Sequence, residues 1–213
     1  MGQYYKAMVI DEDGDIKVLC PRDYNNLPKL MEFSWCGNDY VNAVLSLIHN
    51  KRAKIAFIGD YANEPFRDSK NFYNLVMSKE SYEKHYKAIW SKDQKLRLPK
   101  YRSGKTDFDL MDIDTVGMYL VNHDKCEYLD IEEYIENSKV FNFDYHCAVN
   151  PLPLLTACGN GLGGGDFYYE HIRGNDVGKW AFNILEYTDH VPENYLQASF
   201  IFKFEEAVTN GCS

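Results

Sequence analysis

The stretch CGNGLGGGDFYY, residues 158–169, puts five glycines into twelve positions, a composition that lets a main chain approach an anion with no Cβ atoms in the way. Gly159, Gly161 and Gly164 satisfy G-x-G-x-x-G, and PLPLLTA before them reads as an extended run that could serve as the strand of a dinucleotide fingerprint. That fingerprint also needs a helix to open at the third glycine, so that its N-terminus faces a pyrophosphate. The residues that follow, GDFYYEHIRGNDVGK, are aromatic and broken at Gly174. No Gly-Lys-Ser or Gly-Lys-Thr follows the glycines, which removes the Walker A loop as well. An anion nest remains: backbone N–H groups of Gly161, Gly163, Gly164 and Gly165, polar side chains of Asn160 and Asp166, and Tyr168, Tyr169 or Trp180 to stack on a ring. The competing reading is a plain flexible connection between strands.

Two further segments carry polar or aromatic groups where a ligand could meet them. AKIAFIGDYA reads as a buried strand over Ile55–Ile58, halted by Gly59 and presenting Asp60 and Tyr61 at its end, although an Asp there also serves to cap a neighbouring turn. SWCGND offers Trp35 and Asn38, the latter also placed to cap a helix. The candidate ligand-binding surface is therefore Trp35, Asn38, Asp60, Tyr61, Asn160, Gly161, Gly163, Gly164, Gly165 and Asp166, a mixture of aromatics, acids and open backbone donors.

Other chemistries are thinly represented. The six histidines share no metal-ligand spacing, Ser34 lacks a G-x-S-x-G elbow, and His146 beside Cys147 is no dyad by adjacency, because a catalytic pair must meet in space. Cys20, Cys36, Cys126, Cys147, Cys158 and Cys212 form no C-x-x-C pair, so structural zinc is not expected and free thiols in a reducing cytoplasm are. Asp11, Asp13 and Asp15 alternate as in a calcium loop, yet Gly14 comes two positions early and no Glu closes the loop. No catalytic residue, metal site or cofactor is assigned. The enzymatic alternative is a nucleotide-processing reaction in which Asp60 and Asp166 converge as metal ligands or base, and a third is a structural protein-interaction module.

These residues need elements to position them. At 213 residues, 45% hydrophobic and 15% aromatic, the chain can bury a sizeable core. YKAMVI and DIKVLC flank the acidic turn DEDG and read as a hairpin. Val41, Val44, Leu45 and Ile48 recur at helical spacing behind Asn38, GMYLVNHDKCEYLDI reads as strand, turn and strand, and DIEEYIEN as a short helix from Asp130. KWAFNILEY and YLQASFIFKFEE read as two closing strands, Phe200, Phe202 and Phe204 sharing one face of the second. Residues 65–113 are charged with an interrupted apolar stripe and read as a helical insertion, ending in the basic run Lys95–Lys105 and then four aspartates. The expectation is a single α+β domain over residues 1–213, a mainly antiparallel sheet with covering helices and a helical insertion at about 65–113.

A net charge of −9 speaks against nucleic acid except through the local run Lys95–Lys105, and the absence of a long apolar run speaks against a membrane partner. MGQYYKA, LPKLMEFSWCGNDYVNAV, IGDYA and LPLLTACGNGLGGGDF together resemble a group of small proteins of tailed-phage and bacterial genomes that begin MGQYY, carry KLMExSxxGN and GDYA segments and end with a GNGxGGGD loop. The resemblance covers the N-terminal and last thirds and excludes Pro65–Ile113, and Leu162 stands where that group has a basic residue. It implies a phage-associated accessory protein in the host cytoplasm, with counter-defence as one role. The expected partner is a small anionic ligand such as a nucleotide, or a host protein.

Overall fold

The structure, a computed structural model, describes residues 3–62, 101–103, 115–138, 148–159 and 176–200. Strands β1 (Tyr5–Asp11) and β2 (Ile16–Leu19) form the expected hairpin. Asp11 closes its turn twice, its carbonyl accepting from the Gly14 amide at 2.9 Å and its Oδ1 from the Asp15 amide at 2.8 Å, while Gly14 takes the positive φ of 77°. Strand β3 (Ala53–Gly59) pairs antiparallel with β1 along its whole length, from Tyr5 opposite Gly59 to Asp11 opposite Ala53.

The far flank of β3 is divided between two neighbours. Ala53 and Lys54 pair antiparallel with β8 (Ile184–Thr188), and Phe57 and Ile58 pair parallel with β7 (Ala157–Cys158). Beyond β8 lie β5 (Tyr119–Asn122) and β6 (Glu127–Asp130), antiparallel, and then the parallel edge strand β9 (Leu196–Gln197). The other edge is β4 (Tyr101–Ser103), parallel to β2. This nine-stranded, mostly antiparallel sheet with a few helices is the α+β architecture expected from the sequence. The β4 backbone is the only described part of residues 65–113, and it is strand, not helix; the remainder of that range, with most of the run Lys95–Lys105, lies outside the described residues.

Among the described residues, short helices α1 (Leu30–Phe33), α2 (Asp39–Ile48), α3 (Ile131–Ser138) and α4 (Pro151–Leu155) accompany the sheet. Helix α2 buries Val41, Val44, Leu45 and Ile48, the stripe read from the sequence. Its Tyr40 packs edge-on against Phe33 at 4.9 Å and Phe57 at 5.8 Å between ring centroids. The Tyr40 hydroxyl reaches the mouth of the β1–β2 hairpin, where it accepts from the Ala7 amide at 2.7 Å and donates to the Leu19 carbonyl at 3.1 Å. A side chain of the helix thus bridges the paired residues Ala7 and Leu19. A second apolar cluster, Met8, Ile10, Ile16, Val18, Ala56 and Ile58, gathers residues that alternate along β1, β2 and β3 with those of the main core.

Three expectations need correction. PLPLLTA is mostly helical: Asn150 Oδ1 accepts from the Leu152 amide at 3.0 Å, α4 runs Pro151–Leu155, and the strand that follows it is the short Ala157–Cys158. Both prolines sit in the first turn, where their missing N–H groups have no intrahelical acceptor to lose. Within KWAFNILEY the strand starts only at Ile184, because Gly178 and Phe182 take φ of 80° and 61° and turn the chain before it. In YLQASFIFKFEE the described strand is Leu196–Gln197; Phe200 packs edge-on against Trp180 at 5.2 Å, and Phe202 and Phe204 lie outside the described residues.

Candidate functional site

Three of the segments singled out in the sequence meet at one end of the sheet. The start of β1, the end of β3 and the end of β7 are neighbours there, with Tyr5 opposite Gly59 and Ile58 opposite Cys158. Asp60 extends the β1–β3 ladder past its last pair: its amide donates to the Tyr4 carbonyl, and its Oδ1 accepts from the Tyr4 amide, both at 3.0 Å. Gln3 and Tyr5 are fully buried and fill the space beside two glycines. A Cβ on Gly59 would overlap Gln3 Oε1, and one on Gly159 would lie 2.5 Å from the Tyr5 hydroxyl and 2.6 Å from the same Gln3 oxygen. QYY, GDY and CG are therefore parts of one interlock, whose glycines are required by close approach.

The outer side of this interlock is aromatic and apolar. Tyr4 is 43% and Tyr61 47% exposed, Leu27 and Met31 are also exposed, and Pro28 accepts the Tyr5 amide at 2.7 Å, tying that loop to the start of β1. Lys6, absent from the candidate set, lies in one cross-strand row with Ile58 and Cys158. Burial lowers its pKa, and Arg22 adds to the lowering, while Cys20 and Asp23 act in the opposite sense. Burial alone pushes the Cys158 thiol up to about 11, so it stays protonated across the physiological range. A lysine interrupting the apolar run YKAMVI was the available signal for Lys6.

The remaining candidates are distributed as follows. Asp60 and Tyr61 belong to this sheet end. Asn38 spends its amide on structure, Oδ1 accepting from the Tyr40 and Val41 amides and Nδ2 donating to Asn26 Oδ1 at 2.8 Å. Trp35, half-buried between α1 and α2, donates from Nε1 to the Met31 carbonyl at 2.9 Å and bridges to Val149. Asn160, Gly161, Gly163, Gly164, Gly165 and Asp166 lie outside the described residues, as do Tyr168 and Tyr169. Trp180 is no stacking platform: it is fully buried and donates to Glu127 Oε2 at 3.2 Å.

A different cluster escaped the sequence reading. His123, in the β5–β6 turn, has a side chain only 8% exposed and both ring nitrogens engaged, Nε2 with Glu186 Oε2 at 2.8 Å and Nδ1 with the Tyr195 hydroxyl at 3.1 Å. Arg52 Nε stands 3.5 Å from the same Glu186 oxygen. The turn is held rigidly: Asn122 Oδ1 accepts from the Asp124 and Lys125 amides, His123 donates its amide to the Ile184 carbonyl, and Asp124 Oδ2 accepts from the Ile184 amide. Partial burial raises the Tyr195 pKa, with Cys126 and Glu186 adding to the rise against Arg52. Glu186 stands 63 and Tyr195 72 positions from His123, and no local spacing announces the cluster.

A separate small cleft, bordered by Cys36, Asn42, Thr115, Asn150 and Tyr187, has about 20 Å³ of internal room. That holds one water and is far below the few hundred Å³ of a ligand pocket. Among the described residues no group of three or more His, Cys, Asp or Glu could hold a metal ion, and no helix is long and apolar enough to cross a membrane. Comparison of the chain with protein-family models, curated proteins and solved structures gives no match.

Proposed function

We propose that the protein is a binding protein that captures a small anionic ligand bearing a planar ring, a nucleotide, at the sheet end formed by β1, β3 and β7. The observation that carries this reading is the meeting of the carboxyl ends of the parallel strands β3 and β7, each leading directly into a candidate segment, GDY in one case and the glycine stretch in the other. Ligands favour the carboxyl ends of parallel strands, where backbone N–H groups point outward and loops diverge. Tyr61 supplies an exposed ring for stacking. The resemblance to phage-encoded proteins supports an accessory role in an infected cell, with counter-defence by ligand capture as its form.

The test is calorimetric titration of the purified chain with nucleoside mono-, di- and triphosphates and cyclic dinucleotides. One class binds, and Tyr61→Ala weakens it about ten-fold, the loss of one ring stacked on a base. Absence of heat and of thermal stabilisation with every nucleotide overturns the reading. A host-protein partner is the second reading, favoured by the exposed Tyr4, Leu27, Met31 and Tyr61 around the same sheet end, since aromatics and Met are enriched in interfaces. The enzymatic alternative has less support, because Asp60 Oδ1 already accepts a backbone amide and Asp166 lies outside the described residues.

A further inference from the structure

The cluster on the opposite flank of the sheet has an order that packing alone does not require. Glu186 holds one imidazole nitrogen and a hydroxyl sits on the other, so carboxylate, imidazole and hydroxyl form a single hydrogen-bonded string. An ionised Glu186 only accepts, which fixes the proton of a neutral His123 on Nε2 and leaves the Nδ1 lone pair facing the Tyr195 hydroxyl. Arg52, 54% exposed, stands behind Glu186, its Nε 3.5 Å from the oxygen that holds His123. His123 is shielded from water, whereas Tyr195 is half-buried and reachable. The string is anchored on three sides: the β5–β6 turn carries the base, β8 the carboxylate, and the segment leading into β9 the hydroxyl.

We propose that Tyr195 is a base-activated nucleophile that takes an acyl group from activated esters or thioesters, with His123 as general base and Glu186 as the residue that positions it. In the step, Tyr195 Oη bonds to the acyl carbon while the hydroxyl proton passes to His123 Nδ1. The bond from that carbon to the leaving oxygen or sulfur breaks, and the departing alkoxide or thiolate takes the proton back from the imidazolium. The products are O-acyl-Tyr195 and an alcohol or thiol. Base assistance in the transition state, with no free phenolate beforehand, suits a tyrosine whose ionisation is disfavoured. An uncharged acyl carbon suits the site better than a phosphoryl group, because Glu186 puts a carboxylate beside the imidazole and the Arg52 Nε is committed to it.

The experiment treats the full-length chain with an arylsulfonyl fluoride, an electrophile that a base-assisted tyrosine attacks with loss of fluoride, and locates labelled tyrosines by peptide mass spectrometry. Tyr4 and Tyr61, exposed and remote from the string, are internal controls. Tyr195 is expected to label about a hundred-fold faster than either, the usual scale of general-base assistance. His123→Gln abolishes that advantage without changing the controls; Glu186→Gln reduces it and Glu186→Asp restores part of it, which a merely structural carboxylate would not require. The same chain with Cys126→Ser releases p-nitrophenolate from p-nitrophenyl acetate, and adding Tyr195→Phe lowers the release to the background of the remaining exposed thiols and amines. Tyr195 labelling no faster than Tyr4 and Tyr61, or equally fast in His123→Gln, overturns the proposal. Should His123→Gln fail to fold, the wild-type ratio and the Glu186 pair decide alone.

Discussion

At the scale of single residues, the Tyr40 hydroxyl does more than fill a core. It satisfies a buried amide and a buried carbonyl at once, at Ala7 and Leu19, and water has no access to replace it. Tyr40→Phe therefore leaves both groups short of a partner and is expected to cost about 2 kcal/mol, measured as a lower urea midpoint with an unchanged m-value. Gly59→Ala should cost about 1 to 3 kcal/mol through overlap with Gln3, and Gln3→Ala in the same chain should recover part of that loss in a double-mutant cycle. Cys158 adds a pH dependence with a definite sign. Its folded pKa of about 11 stands above the ordinary thiol value of 9.0, so above pH 9 the unfolded chain binds fewer protons than the folded one and stability falls as pH rises towards 11. Cys158→Ala flattens that alkaline loss in thermal melts. None of the three effects is visible in a spacing rule, since each depends on which atoms face one another across the sheet.

At the scale of elements, α2 was legible because every signal for it is local: a capping Asn38 and four apolar residues at helical spacing. Asn38→Ala should lower stability by about 1 kcal/mol, whereas Asn38→Asp, which still accepts the α2 amides, should stay within a few tenths in the same chemical denaturation. A larger loss for Asp would assign the main role to the bond with Asn26. The hairpin, β3, the β5–β6 pair and α3 were legible for the same reason. Helix α4 was misread as extended because two prolines weigh against helix everywhere except the first turn, and the capping Asn150 before them was overlooked. The two-residue strands β7 and β9 exist through pairing with distant neighbours and leave no period of their own. Around the candidate site, the strand-end position of Asp60 and Tyr61 and the capping position of Asn38 were legible, whereas the row of Lys6, Ile58 and Cys158 and the string at His123 needed the fold before they could be seen.

At the scale of the whole molecule, the net charge of −9 repels an anionic ligand at long range, so attraction has to come from a local patch. If the run Lys95–Lys105 supplies it, nucleotide association slows as salt is added, and replacing Lys95, Arg97 and Lys100 with Ser reverses the slope, because screening then acts only on repulsion. Stopped-flow rates at low and physiological ionic strength read this directly; an unchanged slope would remove the run from the encounter. The divided flank of β3 has a consequence for synthesis. β1, β2 and β3 are complete once Gly59 has emerged, yet β7 begins about 98 and β8 about 125 residues later. At about 5 to 20 residues per second, the β3 edge with Ile55 and Phe57 waits roughly 5 to 25 s for its strand partners. A ribosome stalled before Ile184 would display an adhesive, half-built sheet, so nascent chains of intermediate length should be those that chaperones hold most strongly and that clump when chaperones are withdrawn.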